Sequence, residues 1–421
     1  MTEAYTRVPA PEIRESRLKD FGHEIIPSEV ALLRQSAAKI GVELPQNLIG
    51  IQGGGILASA EEAEKSTGIS DNPRAKALVM GKTHGSSEMN VAVHFPTNTE
   101  HAEFGANLYS YQGLLGEYLR HHWKPEKFGM NPLQGKVGGL KLDDGRYVTA
   151  LRYRKHFETL GAEGKSGIHE LDTSRISPED LRQVVRVLNE VHVDSASFVQ
   201  WAKQNGRDIP QVSWLNPSNP KYAMRGQEWW ISPKQESDRS KELTTHAEHL
   251  SGLYKTIDAS FDAPSEVSEM ILNNINLFPH QNGTVDHPEH IADMVVVHGA
   301  LHPRNVHIRR DGERMNITIS GGDRAQGMGV KGQMIDWLVT STAHSPEHQQ
   351  ALLEEFIRLN PSEKDRRGLA MSVLYRSLIE ASWFESAGKH DIAQRLVKLS
   401  YDILRGNGIW RGVNSPISPL K

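Results

Sequence analysis

The sequence predicts an α+β chain of two lobes, a β-rich N-terminal lobe followed by a larger α-rich C-terminal lobe. Three observations carry that expectation. At 421 residues the chain exceeds what one hydrophobic core usually organises. Up to residue 153 its apolar residues fall mainly in short runs broken by glycine-bearing turns, the pattern of strands. Beyond residue 165 they recur mostly at spacings of three and four, the pattern of helices with one buried face.

Taken in order, residues 1–45 form a charged N-terminal extension with an amphipathic helix at SEVALLRQSAAKIGVEL. NLIGIQGGGILASA sets Gly53, Gly54 and Gly55 between two apolar runs, which reads as strand, glycine turn, strand. KALVMGK and NVAVHF are two further strands, and AEFGANLYSYQGLLGEYLRHH is a helix burying Leu108, Tyr111, Leu114, Leu115 and Tyr118. VGGLKLDDGRYVTALRY is a hairpin that turns at Asp143-Asp144-Gly145. A linker near 152–165 divides the β-rich lobe, 46–155, from the α-rich lobe, 156–421. In the latter, SPEDLRQVVRVLNEVH opens on a Ser177 cap with Pro178 in the first turn, and TTHAEHLSGLYKTI and SEVSEMILNNINLF continue as helices. VHIRR and MNITIS form one more strand pair, joined by Asp311-Gly312, and the tail from PEHQQALLEEF onward is helical.

Composition narrows the function classes. With 38% hydrophobic and 24% charged residues the chain has an ordinary globular make-up. A net charge of -4 supplies no basic field for nucleic acid or an anionic membrane, so neither is an expected partner. The absence of cysteine removes disulfides, thiolate catalysis and cysteine-ligated zinc. MTEAYTRVPAPEIRESRLKDFG lacks the basic start and apolar core of a signal peptide, and a cytoplasmic location is the expectation.

The chemistry concentrates in VVHGALHPRNVHI, residues 296–308. Phosphoryl transfer needs oxygen ligands for magnesium, a cation on the donor phosphates, and usually a carboxylate to receive the acceptor's proton. An Asn on a loop, followed by a hairpin that ends near an Asp, brings two such ligands together. Asn305 and Asp323 have that arrangement. A carboxylate five residues before the Asn would complete the set, and Ala300 stands there.

The stretch "HGALHPRN" resembles the HGDLHPGN catalytic loop of the aminoglycoside phosphotransferase and choline kinase family, distant relatives of protein kinases with a bilobal kinase-like fold. The resemblance implies that Asn305 and Asp323, the latter in "ISGGDRA", hold magnesium, that His298 and His302 frame the loop, and that Ala300 replaces the catalytic Asp, with Arg304 where Gly is common. "LDDGRYVTALRY" resembles the strand entering the interlobe hinge. "LRQVVRVLNEVH" resembles the helix that ends in Leu-His, here Val191-His192, and "MIDWLVTS" resembles the segment after the metal Asp, giving Asp336 a structural role. The likeness spans roughly residues 80–400 and is strongest at 295–340.

In such a family a Lys on the third strand holds the nucleotide phosphates and pairs with a Glu on the next helix. If NVAVHF is that strand, His94 takes the Lys position; if KALVMGK is, Lys82 or Lys76 does, with Glu103 or Glu117 as partner. Gly53 to Gly55 would let backbone amides approach phosphates, or simply make a turn. His246-x-x-His249, His287-x-x-His290 and His121-His122 lack a third ligand and read as surface or capping histidines rather than zinc sites. Trp229-Trp230 either lines a substrate cleft or anchors a helix insertion, packing being the favoured reading. Acidic residues of the 195–290 insertion, Glu228, Glu242, Glu248 and Asp258, face either a cationic acceptor or water.

Loss of a general base costs on the order of 10²- to 10⁴-fold, not all of catalysis. Three readings therefore stand: an atypical phosphotransferase that binds ATP and magnesium and acts on a small-molecule hydroxyl, with His302 as a substitute base; an inactive pseudokinase that serves as a binding module for a protein partner; and, third in order, an altered site that moves a different group, for instance a nucleotidyl group.

Overall fold

The computed structural model describes residues 27–46, 48, 76–88, 90–96, 115–133, 136–144, 147–152, 157–161, 170–191, 195–206, 233–274, 294–297, 301–312, 314–319 and 327–415. They fall into two compact units, Met1–Glu117 with Leu133–Phe157, and Tyr118–Pro132 with Glu158–Lys421.

In the first unit, helix α1 (Pro27–Lys39) is followed by strand β1 (Val42–Glu43). The amphipathic pattern runs on to Leu44, but Gly41 adopts φ 77°, a left-handed conformation that stops the helix and turns the chain into the sheet. The other strands are β2 (Lys76–Thr83), β3 (Val91–Pro96), β4 (Lys136–Lys141) and β5 (Tyr147–Arg152). They make one antiparallel sheet in the order β1-β2-β3-β5-β4. Alternation puts Val79, Val91, Val93, Phe95, Val148 and Ala150 on one face, where they pack with Leu33 and Ala37 of α1. Each large side chain buried in this way contributes about 1.5–3 kcal/mol. β1 lies so close to β2 that a Cβ on Gly81 would stand 2.5 Å from the Val42 side chain. α1, which the sequence pattern sets in a separate extension, thus supplies part of the sheet's core.

The second unit takes in the end of helix α2 (115–122) and the short α3 (Pro125–Phe128). After it come strand β6 (Glu158–Thr159) and helix α4 (Pro178–Val191), which buries Leu181, Val184, Val185, Leu188 and Val191 along one face. As its sequence indicates, α4 is capped by Ser177: Ser177 Oγ accepts from the Asp180 N–H at 3.2 Å, and Asp180 accepts in return from the Ser177 N–H at 2.8 Å. Helices α5 (Ser195–Gln204), α6 (Pro233–His249), α7 (Ser251–Ile257) and α8 (Ala263–Asn274) follow. The pattern at 244–257 suggests a single helix; the chain breaks at Leu250 into α6 and α7.

The tail is mostly helical in its described part: α9 (Asp336–Ser341), α10 (Pro346–Leu359), α11 (Glu363–Ser386) and α12 (His390–Arg405). α11 is the spine of this unit. Leu369, Ala370, Met371, Val373, Leu374, Leu378 and Ala381 are buried around its circumference, because α6, α12 and the turn Lys331–Met334 all pack on it. Gly332 sits where any side chain would meet backbone, since its Cβ would lie 2.4 Å from Leu369 Cα. Among the described residues no helix is long and apolar enough to cross a membrane.

Candidate active-site loop

Strand β7 (Met294–Val297) leads into the loop, and a 3-10 turn at Pro303–Asn305 leads out of it into hairpin β8 (Val306–Asp311) and β9 (Arg314–Ile319). Strand β10 (Gly327–Val330) then returns antiparallel to β7, with Gly327 opposite Val297. In the hairpin, Val306 stands opposite Ile319. Two cross-strand pairs therefore bracket the motif. The residues next to both ends of 298–305 are paired with the residues next to both ends of 320–326. His298, Ala300 and Asp323 lie outside the described residues, as do Gly53, Gly54, Gly55 and Glu103.

The described part of the loop is held from two sides. On one side, β6 pairs with β8, the Leu160 N–H donates to the Val306 carbonyl at 3.0 Å, and Thr159 Oγ1 donates to the Pro303 carbonyl at 3.0 Å. Gly161 lets Arg304 approach, for a Cβ there would fall 2.8 Å from Arg304 Cγ. Within the turn, the Asn305 N–H donates to the His302 carbonyl at 2.9 Å. Pro303 supplies the fixed φ that starts the turn, and the buried Leu301 anchors its approach.

On the other side lies α9. The His302 ring meets Trp337 edge to face, with centroids 5.6 Å apart and planes at 70°. Its Nδ1 is shielded from solvent. This inward packing suits a residue that frames the loop. A second contact of Trp337 is Arg376 of α11, whose guanidinium carbon stands 3.9 Å from the ring centroid. Arg376 also approaches Asp336, N to O 3.9 Å, and Asp336 accepts from the Trp337 N–H at 2.6 Å. Glu380 lies one helical turn beyond Arg376, and its Oε1 is buried without a hydrogen bond. Burial pushes both carboxyls up to about 7, partly countered by Arg376. Asp336 thus stands buried at the head of α9, away from solvent.

Elsewhere, Lys82 is paired with Glu43 across β1 and β2 at 3.2 Å, and the hydrogen bond from Lys82 is the main reason the Glu43 carboxyl sits below its ordinary value. His94 and Lys76 occupy β3 and β2, His94 opposite Leu78 and Thr149, and Lys76 opposite Pro96. Glu117 is half-buried on α2. His246 Nδ1 lies 3.0 Å from Ser382 Oγ, His249 is exposed, and His121 and His122 are exposed beside Trp201 and Tyr118. Among the described residues no group of three or more acidic or histidine side chains is arranged to hold a metal ion. Asp258 accepts from Ser260 and Tyr401 and lies 3.7 Å from Arg405, a local structural cluster. Glu248 is exposed, and His192, Glu228, Trp229, Trp230, His287 and His290 lie outside the described residues.

Sequence reasoning did not single out Thr159, Trp337, Arg376 and Glu380. A signal was present for two of them: Arg376 and Glu380 stand four apart in the otherwise apolar or small run SVLYRSLIEAS, the spacing at which charges meet on one helix face.

Neither a family model nor a curated protein matches the chain. Solved structures do. The folds it is similar to include those of phosphotransferases. A type I macrolide 2'-phosphotransferase aligns over 89% of this chain and 97% of its own, with 12% identity and a TM-score of 0.44. A macrolide 2'-phosphotransferase from Brachybacterium faecium aligns over 88% and 98%, with 13% identity and a TM-score of 0.43. A microcompartment-associated aminopropanol kinase aligns over 90% and 97%, with 13% identity and a TM-score of 0.40. Likeness at this level carries no argument about chemistry, which has to come from the loop and its surroundings.

Proposed function

We propose that this chain is a kinase-like phosphotransferase that binds a nucleoside triphosphate, ATP in the simplest case, with magnesium and phosphorylates a small-molecule hydroxyl. The observation that carries the reading is the double bracket around the loop. Pairing of Gly327 with Val297 and of Ile319 with Val306 ties the 298–305 segment, which holds Asn305, to the 320–326 segment, which holds Asp323. The amide of Asn305 and the carboxylate of Asp323 are the oxygen types that a hard cation bridging donor phosphates takes. When bound, magnesium would neutralise charge on the transferring group. Asn305 would orient it from the turn that His302 and Thr159 fix, and Asp323 would supply the anionic ligand.

Ala300 removes the usual proton acceptor. In a loose transition state, positioning and charge neutralisation dominate, so transfer is slowed rather than abolished. The same residue favours a second reading, a nucleotide-binding module without turnover whose partner is a protein. A coupled assay for ADP release, run over a panel of small alcohols, amino alcohols and glycosides with Asp323→Ala as control, separates the two. Acceptor-dependent release that the Asp323→Ala variant lacks supports the transferase. Release that survives the substitution removes Asp323 from the site.

A further inference from the structure

We propose that Arg376 is a positioning residue for the His302–Asn305 turn, acting through Trp337. The inference rests on the reading of that turn as a metal-binding loop. Its parts form a line of contacts. α11 is buried around its circumference and cannot readily tilt. From it Arg376 reaches over the face of Trp337, 3.9 Å from guanidinium carbon to ring centroid. Trp337 in turn presents the other partner of the edge-to-face contact with His302, and the His302 carbonyl receives the Asn305 N–H. The cation therefore touches no ligand atom, yet the orientation of the Asn305 turn depends on it.

The choice of residue types supports a dedicated device over ordinary packing. A largely buried guanidinium such as that of Arg376, 18% exposed, is costly to desolvate, and an apolar side chain of similar volume would fill the same space more cheaply. Here the cost is met by Asp336 at 3.9 Å and by Glu380 on the next turn of α11. Arg376 Nε makes no hydrogen bond, so the guanidinium is not fully used by its carboxylates, and its planar face is spent on the indole. Asp336 also accepts from the Trp337 N–H in the first turn of α9.

The test compares full-length Arg376→Met, Arg376→Lys and Trp337→Leu with the parent, each checked for native melting. The first readout is the ring 1H–13C resonance of His302 in histidine-labelled protein at fixed pH, assigned by its loss in His302→Asn. The second is the affinity for ATP with magnesium from thermal-shift titration. A cation over an indole is worth about 1–2 kcal/mol when desolvated, so Arg376→Met should weaken magnesium-dependent binding by roughly tenfold and displace the His302 resonance. Arg376→Lys keeps a cation over the ring and should return both toward the parent. Trp337→Leu should displace the resonance with Arg376 intact, which keeps the idea testable if Arg376→Met does not fold. The proposal is overturned if the His302 resonance stays in place in Arg376→Met or Trp337→Leu, or if the lysine variant is no better than the methionine. If the parent binds no nucleotide, the metal-loop reading fails on its own while the resonance still decides whether Arg376 sets the turn.

Discussion

Replacing Glu380 by Gln should make the protein more stable at alkaline pH and leave it nearly unchanged at acidic pH. Asp336 and Glu380 share Arg376, so with both carboxyls ionised the buried cluster carries one uncompensated negative charge. Burial raises Glu380 from 4.5 to about 7. A carboxyl that holds its proton more tightly when folded gives its full contribution to stability below the unfolded value, and loses it as pH rises through the folded value. At about 1.4 kcal/mol for each tenfold change in proton affinity, the loss approaches roughly 3 kcal/mol above pH 8. Glu380→Gln removes this titration and the Asp336–Glu380 repulsion with it, so the expected gain is about 3 kcal/mol at pH 8 and under about 1 kcal/mol at pH 5. Urea unfolding of both proteins at pH 5, 6, 7 and 8 measures it. Only the difference between the curves matters, which cancels the other titrating groups. A difference that does not vary with pH, or a variant less stable than the parent at pH 8, would refute the account of the cluster.

Other perturbations have equally definite outcomes. Gly332→Ala places a methyl against the Leu369 backbone at 2.4 Å, which α11 cannot yield, and should cost about 1–3 kcal/mol in urea unfolding, whereas Gly252→Ala, with open space around it, should cost nothing of that kind. Glu355 is held at about 2 first by hydrogen bonds from Arg358 and then by those from Arg186, which tie α10 to α4. Because a lowered carboxyl stabilises above its unfolded value and loses that contribution as pH falls toward 2, Glu355→Gln should flatten the acid limb of the stability profile. The partly exposed arginines limit its cost at pH 7 to about 1–2 kcal/mol, read by chemical denaturation. Ala300→Asp should raise acceptor-dependent ADP release by about tenfold or more if only the base is missing, and an unaltered rate would count against that explanation.

Much of the fold is legible in the sequence because local rules and tertiary packing agree there. The hairpin at 306–319 follows from apolar alternation and an Asp-Gly turn, and α4 from its Ser177 cap and a clean apolar face. Legibility fails where one backbone conformation or one distant contact decides. Gly41 ends α1 early through a left-handed φ that no periodicity reports, and Leu250 divides a helical pattern that runs straight through it. The loop at 296–308 is readable as a chemical motif from its polar spacing alone. Its supports are not. Thr159 reaches the loop from a segment that a linear reading assigns to a linker, Trp337 from one in which the motif points to Asp336 instead, and Arg376 acts from a helix far along the chain. Charges within an apolar helix mark such a device, but only the fold says what they face.

Asn305 and Asp323 are proposed to hold a magnesium-bound nucleotide. The most direct measurement is a thermal-shift titration of the protein with ATP, with and without magnesium, on the parent and on Asp323→Ala. A ligand that binds only the folded state stabilises it by RT ln(1 + [L]/Kd), about 2.7 kcal/mol at a hundredfold excess over Kd. The account expects a rise in melting temperature that requires magnesium and that Asp323→Ala loses. No rise at millimolar ATP, or a rise indifferent to magnesium and to Asp323, would contradict it.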